Sequence, residues 1–483
     1  MAIDPGLRRL ALGTLLSAFP GHTAPEWALR LLTEGLAGHT LFGFNIADAA
    51  QTAALSAQLR EASPAVLVAT DEEGGDVTRL AHLTGSPYPG NAALGAVDDP
   101  DLTREVYASI GADLAAAGVN LDLAPTVDVN TADDNPIIGT RSFGNDPARV
   151  ARHAAAAVTG LQAAGVAACA KHFPGHGATV TDSHLELPTI DAPLEVLRAR
   201  DLPPFAAVVE AGAKSIMTAH IRVPALTDGM PATFSRAVLV DLLRRDLGFT
   251  GAVVTDALEM RGAAGAAGGI GNAAVLALAG GADLLCVGAD VDLELTEHVA
   301  AAIVAGVGDG RLPVARLEEA VGRCRELAAW ATPAGRAGAA ASDLGYAAAR
   351  RAVRVEGTVA GLADPLIVHL ESGHSIAEGP VPWGLGPHVN GTELVRVVAA
   401  DASAEELVAR AGARPIVVVG RHNHRAPATR DLIERLAAAH AVAVVEMGWP
   451  SAWRPAGARA YVTTFGASLA NGRAAAEALG LAL

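Results

Sequence analysis

Short apolar runs alternate with longer amphipathic stretches through the first two thirds of the chain, and this alternation restricts the fold more than any other feature. The runs are 10–18 (LALGTLLSA), 40–46 (TLFGFNI), 65–71 (AVLVATD), 119–124 (VNLDLA), 166–171 (VAACAK), 215–219 (SIMTA), 251–256 (GAVVTD) and 283–287 (ADLLC). Helical periodicity falls between them over 24–37, 47–61, 101–117, 147–164, 192–212 and 235–246. Strand–helix alternation predicts a parallel sheet with helices outside it. About eight such units in about 330 residues predict an α/β fold of the (β/α)8 TIM-barrel type. An open doubly wound sheet is the alternative, but no Gly-rich phosphate turn follows the first run.

The residues at which the runs stop carry the chemistry. Asn45, Asp71, Asp128, Lys171 with His172, His220 and Asp256 all fall at or just past predicted C-terminal strand ends. One such residue reads as a helix cap or a loop polar group. Several from separate strands read as one pocket, because a barrel gathers those ends on a single face.

Beyond the barrel, expected over 1–335, an Ala/Gly/Arg-rich stretch over 336–362 predicts a linker with a connecting helix followed by a strand. The runs PLIVHL, RPIVVVGR, AVAVVEMG and ARAYVTTFG then predict a smaller C-terminal α/β domain over 363–483. With 51% hydrophobic and 18% charged residues the chain can bury a large core. A net charge of -16 argues against nucleic-acid binding and against a membrane surface. No stretch reaches the roughly 20 apolar residues of a spanning helix. Arg8 and Arg9 precede an apolar run as in a signal peptide, but the run ends at Pro20-Gly21 without a small-residue cleavage site. It is read as a first buried strand, and the expected location is cytoplasmic. Cys169, Cys286 and Cys324 are far apart and read as buried free thiols.

The densest cluster of titratable groups is CAKHFPGHGATVTDSHLELP, Cys169–Pro188. It contains one of the only two lysines, Lys171; the other is Lys214. His172 and His176 stand four apart, a spacing that places two metal ligands on one helix face. Pro174-Gly175 lies between them and breaks a helix. The one His-x-His, His422-Asn423-His424, lies in the second domain. No catalytic metal and no cofactor is therefore expected. His176 reads as shaping its turn, and Lys171 with His172 as donors to the hydroxyls of a small polar ligand. In Asp182-Ser183-His184 a carboxylate two residues before an imidazole can orient the ring, select its tautomer and raise its proton affinity. That makes an acid/base pair, and Asp256 brings a further carboxylate to the barrel mouth. GRHNHRA, Gly420–Ala426, reads as a solvated loop, or as a loop that binds an anion or faces the barrel.

Six motifs together resemble glycoside hydrolase family 3 in its β-N-acetylglucosaminidase (β-N-acetylhexosaminidase) branch. They are DEEGG (Asp71–Gly75), GTRSFG (Gly139–Gly144), KHFPGHG, DSH, IMTAHI (Ile216–Ile221) and VVTDALEM (Val253–Met260). The resemblance spans about 1–335, and VTTFGAS (Val462–Ser468) is similar to the family's C-terminal α/β sandwich. It implies that Asp256 is a nucleophile forming a covalent glycosyl-enzyme. Asp182 and His184 match the acid/base dyad. Asp71, Arg141, Lys171 and His172 match residues that grip the hydroxyls of the sugar before the scissile bond, with Met217 and His220 lining the same site. The implied activity is retaining, exo-acting cleavage of β-linked GlcNAc, as in turnover of muropeptide or chitooligosaccharide fragments. The implied partner is a small carbohydrate, with no nucleic acid and no membrane.

Retaining glycosidases mostly use two carboxylates. A histidine in place of one repels an anionic acceptor less than a carboxylate does. Inorganic phosphate is therefore an alternative acceptor to water, giving a phosphorylase. A catalytically silent sugar-binding barrel is the reading from another class; the presence of Asp256, Asp182 and His184 argues against it. Two positions depart from the family pattern: Ala257 where a second Asp is common, and Asp76 where a basic residue is frequent. The latter is expected to add negative charge at the site rim.

Overall fold

The structure, a computed structural model, describes residues 4–181, 187–331 and 343–482. Packing divides the chain into two compact units. The first is Met1–Glu72, Thr103–Pro136 and Asn145–Ala340; the second is Glu73–Leu102, Ile137–Gly144 and Ala341–Leu483.

The first unit holds eight parallel strands: β1 (Leu15–Ser17), β2 (Gly38–Thr40), β3 (Leu67–Thr70), β4 (Leu121–Asp122), β5 (Ala167–Phe173), β6 (Ser215–Thr218), β7 (Ala252–Thr255) and β8 (Leu285–Cys286). Their order is β7-β6-β5-β4-β3-β2-β1-β8. A parallel bridge from Val254 to Leu284 joins the two ends, so the sheet is a nearly closed barrel of the TIM type. Six of the eight predicted runs contain their strand; 166–171 overlaps β5, which continues to Phe173, and 40–46 meets β2 only at Thr40, so that strand lies earlier than predicted. The first prediction needs correction at its start. Residues Pro5–Leu12 form a helix, capped by Asp4, whose carboxylate accepts the Gly6 and Leu7 amides at 2.8 and 3.0 Å. Asp-Pro at N-cap and first helical position is a start signal that outweighed the apolar run. The helix predicted over 192–212 is split into Leu194–Arg200 and Pro203–Glu210, because Pro203 and Pro204 lack the N–H that would continue it.

Side chains alternate along a strand with period 2. Leu67 and Ala69, Ala167 and Cys169, and Ala252 and Val254 all join one interior cluster with Leu16, Leu121, Leu284 and Cys286. Fully burying a large aliphatic side chain stabilises by about 1.5–3 kcal/mol. That pins the parity of every strand, and a one-residue slip would turn its apolar set outward. The helix Val314–Trp330 adds Cys324, Leu327 and Ala328 to the same cluster. All three cysteines are buried and free, and burial pushes the Cys169 thiol up to about 12.

The second unit holds a six-stranded sheet: β9 (Arg354–Gly357), β10 (Leu366–Leu370), β11 (Leu394–Val397), β12 (Ile416–Gly420), β13 (Val442–Glu446) and β14 (Ala460–Thr463). The order is β11-β10-β12-β13-β14-β9, parallel except for β9. The region expected as a linker contributes the helix Leu344–Ala352 and β9. Two pieces of chain from between barrel strands, 73–102 and 137–144, pack into this unit. They are locked together at Gly95, where a Cβ would lie 1.8 Å from the Phe143 carbonyl oxygen. Among the described residues no helix is long and apolar enough to cross a membrane.

Candidate active site

The parity that buries the barrel interior also aims the site. Asp71 follows Leu67 and Ala69 on the same face of β3, Lys171 follows Ala167 and Cys169 on β5, and Asp256 follows Ala252 and Val254 past the end of β7. Lys171 Nζ donates to Asp71 Oδ1 at 2.6 Å, with the two side chains 3% and 18% exposed. A buried pair of this kind is held by geometry, because breaking it leaves an uncompensated charge. Asp256 Oδ1 accepts the Ala257 N–H at 2.8 Å, which fixes one oxygen of its carboxylate beside the strand end. The Cys286 thiol in the same interior is raised well above its ordinary range. Burial is the main cause, then Cys169 and the charges of Asp256 and Asp71, with Lys171 opposing.

A second group is organised by Asp128, which is fully buried. His172 Nδ1–H donates to its Oδ2 at 2.7 Å, and the His176 amide donates to its Oδ1, also at 2.7 Å. Burial alone would raise the Asp128 carboxyl. The His172 ring beside it, then His176, hold it below the ordinary carboxylate range. The carboxylate fixes the His172 tautomer with the proton on Nδ1. His176 is a turn-shaping residue, as expected. Its Nδ1 meets Thr179 Oγ1 at 2.8 Å, and its carbonyl accepts the Asn135 amide at 3.0 Å. Burial and the neighbouring His172 push it down to about 4. The two rings stand 6.0 Å apart and edge to face. Gly177 closes the turn where a Cβ would lie 1.9 Å from the Val129 carbonyl oxygen.

Three predicted positions are used differently. Asn45 does not point a donor at a pocket: its amide donates to the carbonyls of Phe19 and Gly21 at 2.7 and 2.8 Å and its oxygen accepts the Phe42 N–H. It braces the turn after β2. His220 is buried, with Nδ1 2.8 Å from Thr233 Oγ1 and Nε2–H donating to the Ala257 carbonyl at 3.0 Å. It therefore supports the peptide next to Asp256. Met217 is 3% exposed and packs in the interior cluster.

Arg141 belongs to the second unit, where Glu73 grips it in a two-pronged pair at 2.7 and 2.9 Å. Its backbone carbonyl accepts the Asn91 amide at 2.6 Å. Glu73 was not singled out in the sequence; the acidic pair in DEEGG was the available signal. Asp76 is not an exposed rim charge. It is buried in the second unit, accepting the Thr140 hydroxyl at 2.6 Å and the Ala467 N–H at 2.7 Å, with Arg421 at 3.6 Å. The GRHNHRA loop is only partly solvated: Gly420 and Asn423 are buried, Arg421, His422, His424 and Arg425 are half-buried, and Ala426 is exposed. Arg421 pairs with Glu378 at 2.7 Å, and the His422 and Asn423 amides donate to Glu446 at 2.7 and 2.8 Å. Burial pushes the Glu446 carboxyl up to about 7 against those amides and that of Gly448.

Asp182 and His184 lie outside the described residues. The chain on either side of them is tied to the first unit. Thr179 bonds to His176, while Pro188 O accepts the Arg222 N–H and Arg222 O accepts the Ile190 N–H, at 2.8 and 2.9 Å. Arg222 lies two residues past His220.

The model described as “Glycosyl hydrolase family 3 N terminal domain” matches residues 14–327. A protein named Beta-hexosaminidase A, from Pseudoalteromonas piscicida, is 37% identical over 259 residues, which is 49% of this chain and 43% of that protein. The chain thus matches less than half the length of that relative. A Beta-hexosaminidase of Xylella fastidiosa (strain M23) is 40% identical over 266 residues, covering 54% of this chain and 76% of that protein. The solved structure of a glycoside hydrolase family 3 β-N-acetylglucosaminidase from Paenibacillus sp. str. FPU-7 superposes with a TM-score of 0.86 at 30% identity, covering 100% of this chain and 98% of that one. Barrel, second sheet, strand-end residues and these likenesses together make the chain a member of glycosyl hydrolase family 3, and so a glycoside hydrolase.

Proposed function

We propose that the chain is a retaining, exo-acting β-N-acetylglucosaminidase that removes terminal β-linked GlcNAc from small carbohydrates such as muropeptide or chitooligosaccharide fragments. The observation that supports the reading is the 2.6 Å Lys171–Asp71 pair at the ends of β5 and β3, with Asp256 just past the same end of β7 in the one parallel barrel. In this reading Asp71, Lys171 and His172 bind hydroxyls of the terminal sugar, and the Asp256 carboxylate attacks its anomeric carbon. As the glycosidic bond breaks, protonated His184 gives its proton to the leaving oxygen. Water then attacks the glycosyl ester while neutral His184 takes its proton, and Asp256 leaves as carboxylate. Asp182 holds the ring through both steps. Arg141 as a sugar contact rests on the resemblance of GTRSFG alone, and Met217 and His220 enter as supports of the site wall.

Support for Asp128 as the orienter of His172 comes from their 2.7 Å contact. A hydrogen bond to a charged group contributes about 1.5–3 kcal/mol, so Asp128→Asn lowers kcat/KM for p-nitrophenyl β-GlcNAc roughly 10- to 100-fold. An unchanged kcat/KM in a folded variant rules that role out.

The same chemistry admits phosphate as acceptor, since a neutral imidazole does not repel an anion as a second carboxylate does. Mass spectrometry of the products from GlcNAc-anhydro-MurNAc and chitobiose, with and without phosphate, separates the two. A hydrolase gives free GlcNAc in both buffers. GlcNAc-1-phosphate formed only with phosphate present makes the chain a phosphorylase.

A further inference from the structure

Strands β3 and β4 pair in parallel, Ala69 beside Leu121 and Thr70 beside Asp122. The amides of Asn120 and Leu123, which flank β4, donate to the carbonyls of Val68 and Thr70 at 3.0 and 2.8 Å. Two side chains, Asn120 just before β4 and Asp122 within it, supply further acceptors to the β3 segment. Asn120 Oδ1 takes the Val68 N–H at 2.8 Å, and Asp122 Oδ1 takes the Glu72 N–H at 2.9 Å. The Glu72 amide belongs to the peptide that joins Asp71 to Glu72. That plane sets the backbone on which the Asp71 side chain is mounted. Asp122 is fully buried, and its Oδ2 has no hydrogen-bond partner among the described residues.

We propose that Asp122 is a positioning residue, holding the Asp71–Glu72 peptide so that the Asp71 carboxylate meets Lys171 and the sugar. The proposal rests on the reading of Asp71 as a sugar ligand. Groups facing the Asp122 carboxyl are Glu72 and Asp71 from the β3 end, and Lys171 and Cys169 from β5. Burial, then Glu72 and Asp71, push it well above its ordinary range, against the Glu72 N–H and Lys171. Asn120, just before β4, accepts the Val68 N–H with a neutral amide, so an acceptor at this edge needs no charge.

The chain's two lysines make a direct test available, because 13Cε-lysine labelling gives two side-chain signals and Lys214→Arg assigns the other as Lys171. Asp122→Ala, shown to be folded by circular dichroism, is expected to shift the Lys171 signal and raise KM for p-nitrophenyl β-GlcNAc about tenfold. Asp122→Asn keeps the acceptor and leaves the signal in place, with KM within about twofold. A merely structural role lowers the melting temperature of the Ala variant without moving the Lys171 signal, and that result overturns the proposal. So does a moved signal in Asp122→Asn, which decides the matter if the Ala variant does not fold. A moved signal with unchanged KM overturns the link to the sugar. A wild-type protein inactive on GlcNAc glycosides sinks the functional reading instead, and the lysine signals still test Asp122.

Discussion

Asp256→Ala lowers kcat/KM for p-nitrophenyl β-GlcNAc by roughly 10^4-fold or more, about 5 kcal/mol of transition-state stabilisation, with the melting temperature little changed. The side chain is at a strand end with its backbone held by Thr218 and its carboxylate by the Ala257 amide, so truncation removes little packing. In the proposed mechanism it removes the atom that bonds to the anomeric carbon. The space it vacates admits a small anion. Azide is then expected to attack from the nucleophile's side and give the α-glycosyl azide, one inversion in place of two. Recovery of β-azide from this variant, or full activity without azide, excludes Asp256 as nucleophile.

In the proposed mechanism, His184→Ala separates the two halves of the cycle. General acid–base catalysis contributes about 10^2- to 10^4-fold, and the loss falls where the proton is needed. Departure of p-nitrophenolate needs little protonation, so kcat/KM for the aryl glycoside falls less than that for chitobiose. Hydrolysis of the glycosyl-enzyme still needs the base. The aryl substrate therefore shows a burst of p-nitrophenol, a low kcat and a lowered KM. Azide needs no base and is expected to restore kcat with formation of the β-glycosyl azide, the opposite anomer to that from Asp256→Ala. Equal losses on both substrates, with no azide effect, remove His184 from acid/base chemistry.

Strand positions were readable because a barrel strand is apolar on its inner face and short enough to be bounded by turns. The first strand was misplaced by a few residues, since an apolar stretch starting at Leu10 serves equally as the end of a helix and the start of a strand. The capping Asp4-Pro5 pair decided between them. Strand-end polar residues were readable as a set, but their uses were not. Asn45 and Asp128 look alike in sequence. One spends its hydrogen bonds on its own turn, and the other organises two histidines from β5 and the turn after it.

The sequence by itself determined the parallel barrel and a second α/β unit. It also determined that Asp71, Lys171 and Asp256 stand at or just past strand ends, because apolar period, turn residues and strand parity are local properties written every two to four residues. Only the tertiary structure decided the pairings. Lys171 meets Asp71 from 100 residues away, and Arg141 meets Glu73 from 68. Segments 73–102 and 137–144 pack with residues beyond 340. Whether Asp76 and Arg421 are surface charges or buried partners was decided in the same way. The reason is physical: a buried charge is tolerable only beside its partner, and which partner that is depends on the path of the chain between them.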